Sequence, residues 1–366
     1  MRRKLVLIQL SRALVPILVM LHHLSTTMMD YYGFNMGNLA LLPLTGGVYY
    51  FFSLSGFMAY YIYRQKFGKK GQLADFLVNR FIRIYPLYWA VTLAFLILAL
   101  LLPWFATGAE RDMAVILTSV FLVPNPEWQD PFLIVAWSLE YTVYFYLMFS
   151  LLFLSPRLIG KSLFAAWGMV SLLGVIGVVY IDHFLFDFLF ASYNLMFIMG
   201  VVCAWLVLHA NLPVILAYLF IALGLIGFPV TWLNALNPFM EMSFEMSASL
   251  SIMMLLIGLG VVDLKKDVTM PNLFHQLGNA AFALYLVHNV VLDVFSEWMD
   301  QAGLHEVLGD IGMSLVLIAL MMCFGILAHF KLELPLHRLF KGWLRKNKAI
   351  VAPSEAQAAT KTLKNP

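Results

Sequence analysis

Charge is what this 366-residue chain has least of: Asp, Glu, Lys and Arg make up 12% of it, about half the roughly 25% of an ordinary soluble domain. A soluble fold could not hide the 62% of residues that are hydrophobic, because roughly 55–60% of any folded surface is already apolar. Lipid must be part of the solvent, as the mean hydropathy of +0.85 also says. Cysteine is nearly absent: Cys203 and Cys323 both lie inside apolar runs, where a lone thiol packs as a small hydrophobe, so a disulfide framework is excluded. The net charge is only +3, and no basic block with interleaved aromatics is present, which excludes nucleic acid as a partner.

What is present is a series of apolar runs, each near the roughly 20 residues that a spanning helix needs. They predict an all-α, polytopic membrane protein of about ten transmembrane helices, near 5–25, 43–63, 85–105, 133–154, 163–181, 189–208, 212–231, 245–262, 274–296 and 309–331. The run 113–123 is too short to span and is followed by Pro124 and Pro126, which predicts a re-entrant or interfacial segment. With ten spans and an inward-facing N-terminus, 21 of the 23 Lys and Arg fall on one side. Excess Lys and Arg mark the cytoplasmic side, so both termini are expected there, as for a multi-pass protein of the cytoplasmic (inner) membrane. The first helix follows Met-Arg-Arg-Lys with no small-residue cleavage site after it and is expected to be retained as an anchor. Residues 1–345 are expected to form the transmembrane domain and 346–366, poor in large apolar residues, a disordered cytoplasmic tail.

Ionisable groups inside hydrocarbon are costly and tend to line a cavity or pathway. The first span carries Arg12 and, toward its other end, His22 and His23. Arg12 and His23 are eleven residues apart, close to three turns, which puts them on one face about 16 Å apart, with His22 rotated off it. Pro16 removes the donor to the Arg12 carbonyl and predicts a local opening of the helix. The alternative is that Arg12 snorkels to the surface and the histidines sit among headgroups. Glu140, with Tyr144 one turn on, is placed roughly 10 Å below the outer face by helical rise, either as a catalytic carboxylate or in a structural bond to another helix. His288, Asn289 and Asp293 share the ninth span; a lone intramembrane His is commonly a packing residue, and no partner stands at ligand spacing, so no metal is expected. Arg80 and Arg83 neighbour one another on one helix face before Tyr85 and Pro86, suited to lipid phosphate or to the phosphates of a diffusible ligand.

These stretches resemble the acyltransferase 3 family of integral membrane acyltransferases. The resemblance lies in Arg12-Ala13 through His22-His23, Phe51-Phe52-Ser53-Leu54-Ser55-Gly56-Phe57, Arg80-x-x-Arg83-Ile84-Tyr85-Pro86, Trp137-Ser138-Leu139-Glu140 to Phe145-Tyr146, and Leu284-Tyr285-Leu286-Val287-His288, in register across residues 5–335. It implies essential Arg and His residues on the first helix, cytoplasmic acyl-CoA as co-substrate with no other cofactor, and a hydroxyl of an envelope carbohydrate as acceptor; the short outer loops offer little surface for a long polymer, so a lipid-linked precursor or a chain end is the expected form of that acceptor. Two positions depart from the family pattern. Thr142 stands where a Glu is common, two residues and about 200° from Glu140, and Ala281-Phe282-Ala283 replaces an aromatic-hydroxyl run. No appended esterase-like domain is expected after the tenth span.

Acyl transfer to an alcohol needs a base, a site for the oxyanion, and alignment of donor with acceptor. Histidine suits the first task near neutral pH. His23 is therefore the expected base with His22 beside it, Arg12 the holder of the donor arm or thioester oxygen, and Arg80 and Arg83 the holders of the CoA phosphates. The rival reading is a proton-coupled secondary transporter using Arg12, Glu140, His288 and Asp293, which would require matched broken helices in two halves. No such internal similarity is present in the sequence.

Overall fold

The computed structural model describes residues 3–43, 45–102, 112–125 and 129–344. The predicted tail, the loop containing Arg111, and Pro126 lie outside them. The helices are α1 (Val6–Tyr32), α2 (Gly47–Tyr63), α3 (Gln72–Leu101), α4 (Met113–Phe121), α5 (Trp137–Ser150), α6 (Arg157–Val175), α7 (Phe184–Leu189), α8 (Ser192–His209), α9 (Val214–Leu236), α10 (Phe244–Lys265), α11 (Asn272–Gln301) and α12 (Leu304–Ala328). Among the described residues nine helical segments are long and apolar enough to cross a membrane. The 17-residue α2 is the tenth crossing and is buried along most of its length. The protein is an all-α, multi-pass membrane protein.

The crossings alternate. At one end, the Tyr61 hydroxyl near the end of α2 donates to the Arg3 carbonyl before α1 (2.9 Å), and Arg3 also bonds Asp267 after α10. Phe153, just after α5, packs on Phe76 at the start of α3 (5.0 Å between rings). At the other end, Tyr31 of α1 donates to Glu297 of α11 (2.7 Å), and Trp232 of α9 to the Thr45 carbonyl before α2 (3.2 Å). The described ends of the chain therefore lie at the same end of the bundle.

Close backbone contact holds the centre. A Cβ at Gly56 of α2 would stand 1.9 Å from the Phe197 carbonyl oxygen of α8, and one at Gly200 1.8 Å from that of Ser53. Small residues let helices approach in this way where lipid offers no hydrophobic drive for association. The start of α1 is closed from another helix: the buried Asp263 carboxylate of α10 accepts from the amides of Leu7 (2.8 Å) and Ile8 (3.0 Å). Two otherwise orphaned N–H groups of the first turn are thereby satisfied, with the negative charge at the positive end of the helix dipole.

Several boundaries differ from the sequence reading, each for a local reason. The backbone stays helical through Pro16, and α1 runs nine residues past His23 to Gly33, whose φ of 68° ends it. The histidines therefore sit well inside the helix and not at its end. α3 starts thirteen residues before 85, because the polar segment from Gln72 continues the same helix into the spanning part, so Arg80 and Arg83 lie within it. α6 begins at Arg157, six residues early, and its chain turns at Gly177 with φ of 74°.

The short segment after α3 is α4. Asp112 caps its start by accepting from Ala114 N (2.8 Å). Its last carbonyls, Ser119, Val120 and Phe121, accept from Tyr88, Trp89 and Tyr85 of α3 at 2.8, 2.9 and 2.9 Å. Those donors lie twelve to sixteen residues before the end of α3, about 18–24 Å by helical rise. α4 thus dips beside the middle of α3 in the manner of a re-entrant segment, its backbone satisfied by protein and not by lipid.

Candidate functional site

One cavity, about 540 Å³, is lined by α1, α2, α3, α5, α11 and the stretch following α12. Arg12, Arg80 and Arg83 all line it, so three arginines separated in sequence converge on one space. Each is held differently. The Arg12 Nη1 donates to Gln9 Oε1 (3.0 Å), and Gln9 in turn donates to Asn279 Oδ1 of α11 (2.9 Å). The Arg80 guanidinium is flanked by the rings of Tyr146, Tyr63 and Phe76 at 4.8, 5.2 and 5.4 Å. Among the described residues Arg80 has no carboxylate partner, and its Nε is buried without a hydrogen bond. Arg83 pairs with Glu333 Oε1 at 3.2 Å and lies 5.8 Å from the Phe282 ring.

Glu333 was not singled out by sequence, nor was His329. α12 passes into a π-helical turn, His329–Glu333, and the wider turn brings both buried side chains to the cavity wall, where His329 Nδ1 lies 2.6 Å from Glu333 Oε2. Such turns interrupt helices most often at functional positions. The signal is a single carboxylate in the otherwise basic HFKLELPLHR stretch, whose positive charge dominates its composition.

The cavity ends on hydroxyls. Ser138 of α5 and Tyr285 of α11 line it and bond to each other at 2.7 Å, and Tyr285 Oη also donates to the Val135 carbonyl at 3.0 Å. Val135 lines a second cavity, about 580 Å³, on the other side of this partition, together with Asn289, Asp293, Asp130, Gln129 and Phe132. There Asn289 Nδ2 donates to Asp293 Oδ2 at 3.0 Å. No Lys, Arg or His is among the described residues lining this outer cavity.

The histidines stand at the level of the partition. His23 lies between His22 (ring centroids 5.4 Å apart) and His288 (5.2 Å). His22 Nδ1 is 3.0 Å from the Leu39 carbonyl and fastens the loop after α1. Among the described residues no three His, Cys, Asp or Glu are arranged to hold a metal ion. The residues lining the two cavities include none of His22, His23 and His288, which stand beside the partition and not on either wall, and neither Glu140 nor Tyr144. Thr142 and Ser138, one turn apart, both face the inner cavity, and Glu140, between them, is buried on the opposite side of α5. Tyr144 donates to the Leu189 carbonyl (3.2 Å), as does Trp167 (2.9 Å), which ties α5 and α6 to the end of α7.

The chain is thus a helical membrane bundle with an internal cavity that carries three arginines toward one end and hydroxyls toward the other. The family model for an acyltransferase domain, that of the acyltransferase 3 family, matches residues 6–330. The chain belongs to this family and is a membrane acyltransferase. No curated protein and no solved structure matches it.

Proposed function

We propose that the protein transfers an acyl group, acetyl being the simplest, from cytoplasmic acyl-CoA to a hydroxyl of an envelope or exported carbohydrate. The observation that carries this reading is the inner cavity's polarity: cations toward the clustered basic end of the bundle, hydroxyls at its blind tip. That end, where the basic segments around Arg3, Arg64, Lys265 and Lys331 gather, would be cytoplasmic by the excess of Lys and Arg, in the inner membrane. Arg80 and Arg83 hold the phosphates by charge-assisted hydrogen bonds, and Arg12 lies along the arm toward the thioester. A hydroxyl-rich acceptor fits the outer cavity, where amide and carboxylate groups offer hydrogen bonds and, among the described residues, no Lys, Arg or His lines the wall.

In this reading His23 takes the proton of the attacking hydroxyl. The oxygen adds to the thioester carbonyl, and the oxyanion accepts from a partition hydroxyl, Ser138 or Tyr285, that turns from its present partner to donate. Collapse expels the CoA thiolate, which takes the proton from His23, so the only net products are ester and free CoA. Purified protein in vesicles tests the reading: acyl-CoA and a carbohydrate acceptor should yield O-acyl ester and stoichiometric free thiol. Absence of thiol release with every carbohydrate class from the native envelope would contradict it.

A further inference from the structure

His288 carries a nitrogen with nothing to bond. The residue is fully buried, and its Nδ1 lies 2.6 Å from the Tyr285 carbonyl oxygen. A carbonyl only accepts, so Nδ1 bears the hydrogen and the neutral ring presents a bare lone pair at Nε2. Among the described residues that Nε2 has no hydrogen-bond partner. Buried polar atoms are nearly always satisfied, and an orphan in a native interior calls for a reason.

The neighbour is His23. Its ring centroid is 5.2 Å from that of His288 at an interplanar angle of 56°, within reach of a hydrogen bond after a modest side-chain rotation. Among the described residues the His23 nitrogens have no hydrogen bond of their own. On the other flank, His22 already spends its Nδ1 on the Leu39 carbonyl. His288 is therefore the one of the two flanking rings whose free lone pair is shut away from solvent beside His23. One turn before it, Tyr285 holds the partition through Ser138 and Val135, so a single stretch of α11 fixes both the tip of the inner cavity and the orientation of the His288 ring.

We infer that His288 is a positioning residue for His23: its Nε2 accepts the N–H of one His23 nitrogen and so fixes the tautomer whose other nitrogen offers its lone pair to the acceptor hydroxyl. The inference rests on the reading of His23 as the base. When His23 takes the hydroxyl proton it becomes an imidazolium, and its second N–H is held by His288 until the proton passes to the departing thiolate. The arrangement does with a neutral acceptor what a carboxylate does behind the histidine of a hydrolase triad. A neutral partner suits this depth, because no second charge has to be buried in a site of low dielectric.

The test compares variants of the full-length protein in vesicles, with kcat and KM for acyl-CoA read separately. His288→Phe keeps a ring and removes the acceptor; His288→Gln restores an acceptor, the amide oxygen, near the position of Nε2. His288→Phe should lower kcat by about 10- to 100-fold, the scale on which outer partners of a reacting group act, with KM for acyl-CoA within about twofold of wild type. His288→Gln should recover most of the loss. In a His23→Ala background, His288→Phe should have no further effect, since a residue acting through His23 has nothing left to orient. His288→Leu carries the same comparison should the Phe variant fail to accumulate. Equal activity of the Gln and apolar variants, with His23→Ala inactive, would overturn the positioning role and leave His288 as packing. A fully active His23→Ala would instead overturn the assignment of the base itself, whatever His288 does.

Discussion

At the scale of single residues, the three arginines of the inner cavity are not equivalent, and the difference is measurable. Arg83 shares its charge with Glu333, whereas Arg80 is held by aromatic faces that leave its charge uncompensated. A hydrogen bond to a charged group is worth roughly 1.5–3 kcal/mol, so Arg80→Ala should raise KM for acyl-CoA about 10-fold or more and Arg83→Ala less, both with kcat nearly unchanged. Steady-state kinetics at fixed ionic strength checks this; equal KM values in wild type and the double variant would return both residues to binding lipid. Glu140 shows what the sequence leaves open and why. The hydrophobic pattern gives depth but not rotation, and a shift of two residues on α5 decides between facing the cavity, as Thr142 does, and facing away. Glu140→Gln should therefore change the transfer rate by less than tenfold, in contrast to the loss of about 10² to 10⁴ expected when a general base is removed.

At the scale of elements, the apolar runs made the spans legible, together with the dip of α4, because both depend on length and composition. The ends of α3 and α12 were not. The residues from Gln72 up to the Arg80–Arg83 face read as a charged loop and Lys331 onward as a charged end, yet both stretches continue their helices, since polar residues form helix as readily as apolar ones when a spanning segment has already nucleated it. That is why the arginines stand out in the sequence and Glu333, the partner of Arg83, does not. The joint between α1 and α10 offers a stability test independent of activity. Asp263→Ala removes a buried acceptor from two amides of α1, which should destabilise the protein by about 2 kcal/mol or more. A lower melting temperature in detergent is the expected result. Gly200→Leu should do worse, because the backbones of α2 and α8 would have to separate.

At the scale of the whole molecule, ten alternating crossings leave two cavities facing opposite ends and meeting at one partition of Val135, Ser138 and Tyr285, with His23 and His288 beside it. On the proposed function, such an arrangement would let a charged donor and a neutral acceptor approach from different sides without either crossing as a whole. Reporter fusions at Glu241, between α9 and α10, and after Leu344, beyond α12, should report opposite compartments; the same compartment from both would contradict the alternation. The most direct measurement supplies labelled acyl-CoA to one face of vesicles holding the protein in a single orientation, with carbohydrate acceptor at the other. The account predicts labelled ester only when donor is on the face that carries Arg3 and Leu344, and a loss of about 10² to 10⁴ in rate for His23→Ala with acyl-CoA binding retained. Labelled ester formed at the wild-type rate by His23→Ala, or with donor on the opposite face alone, would contradict it.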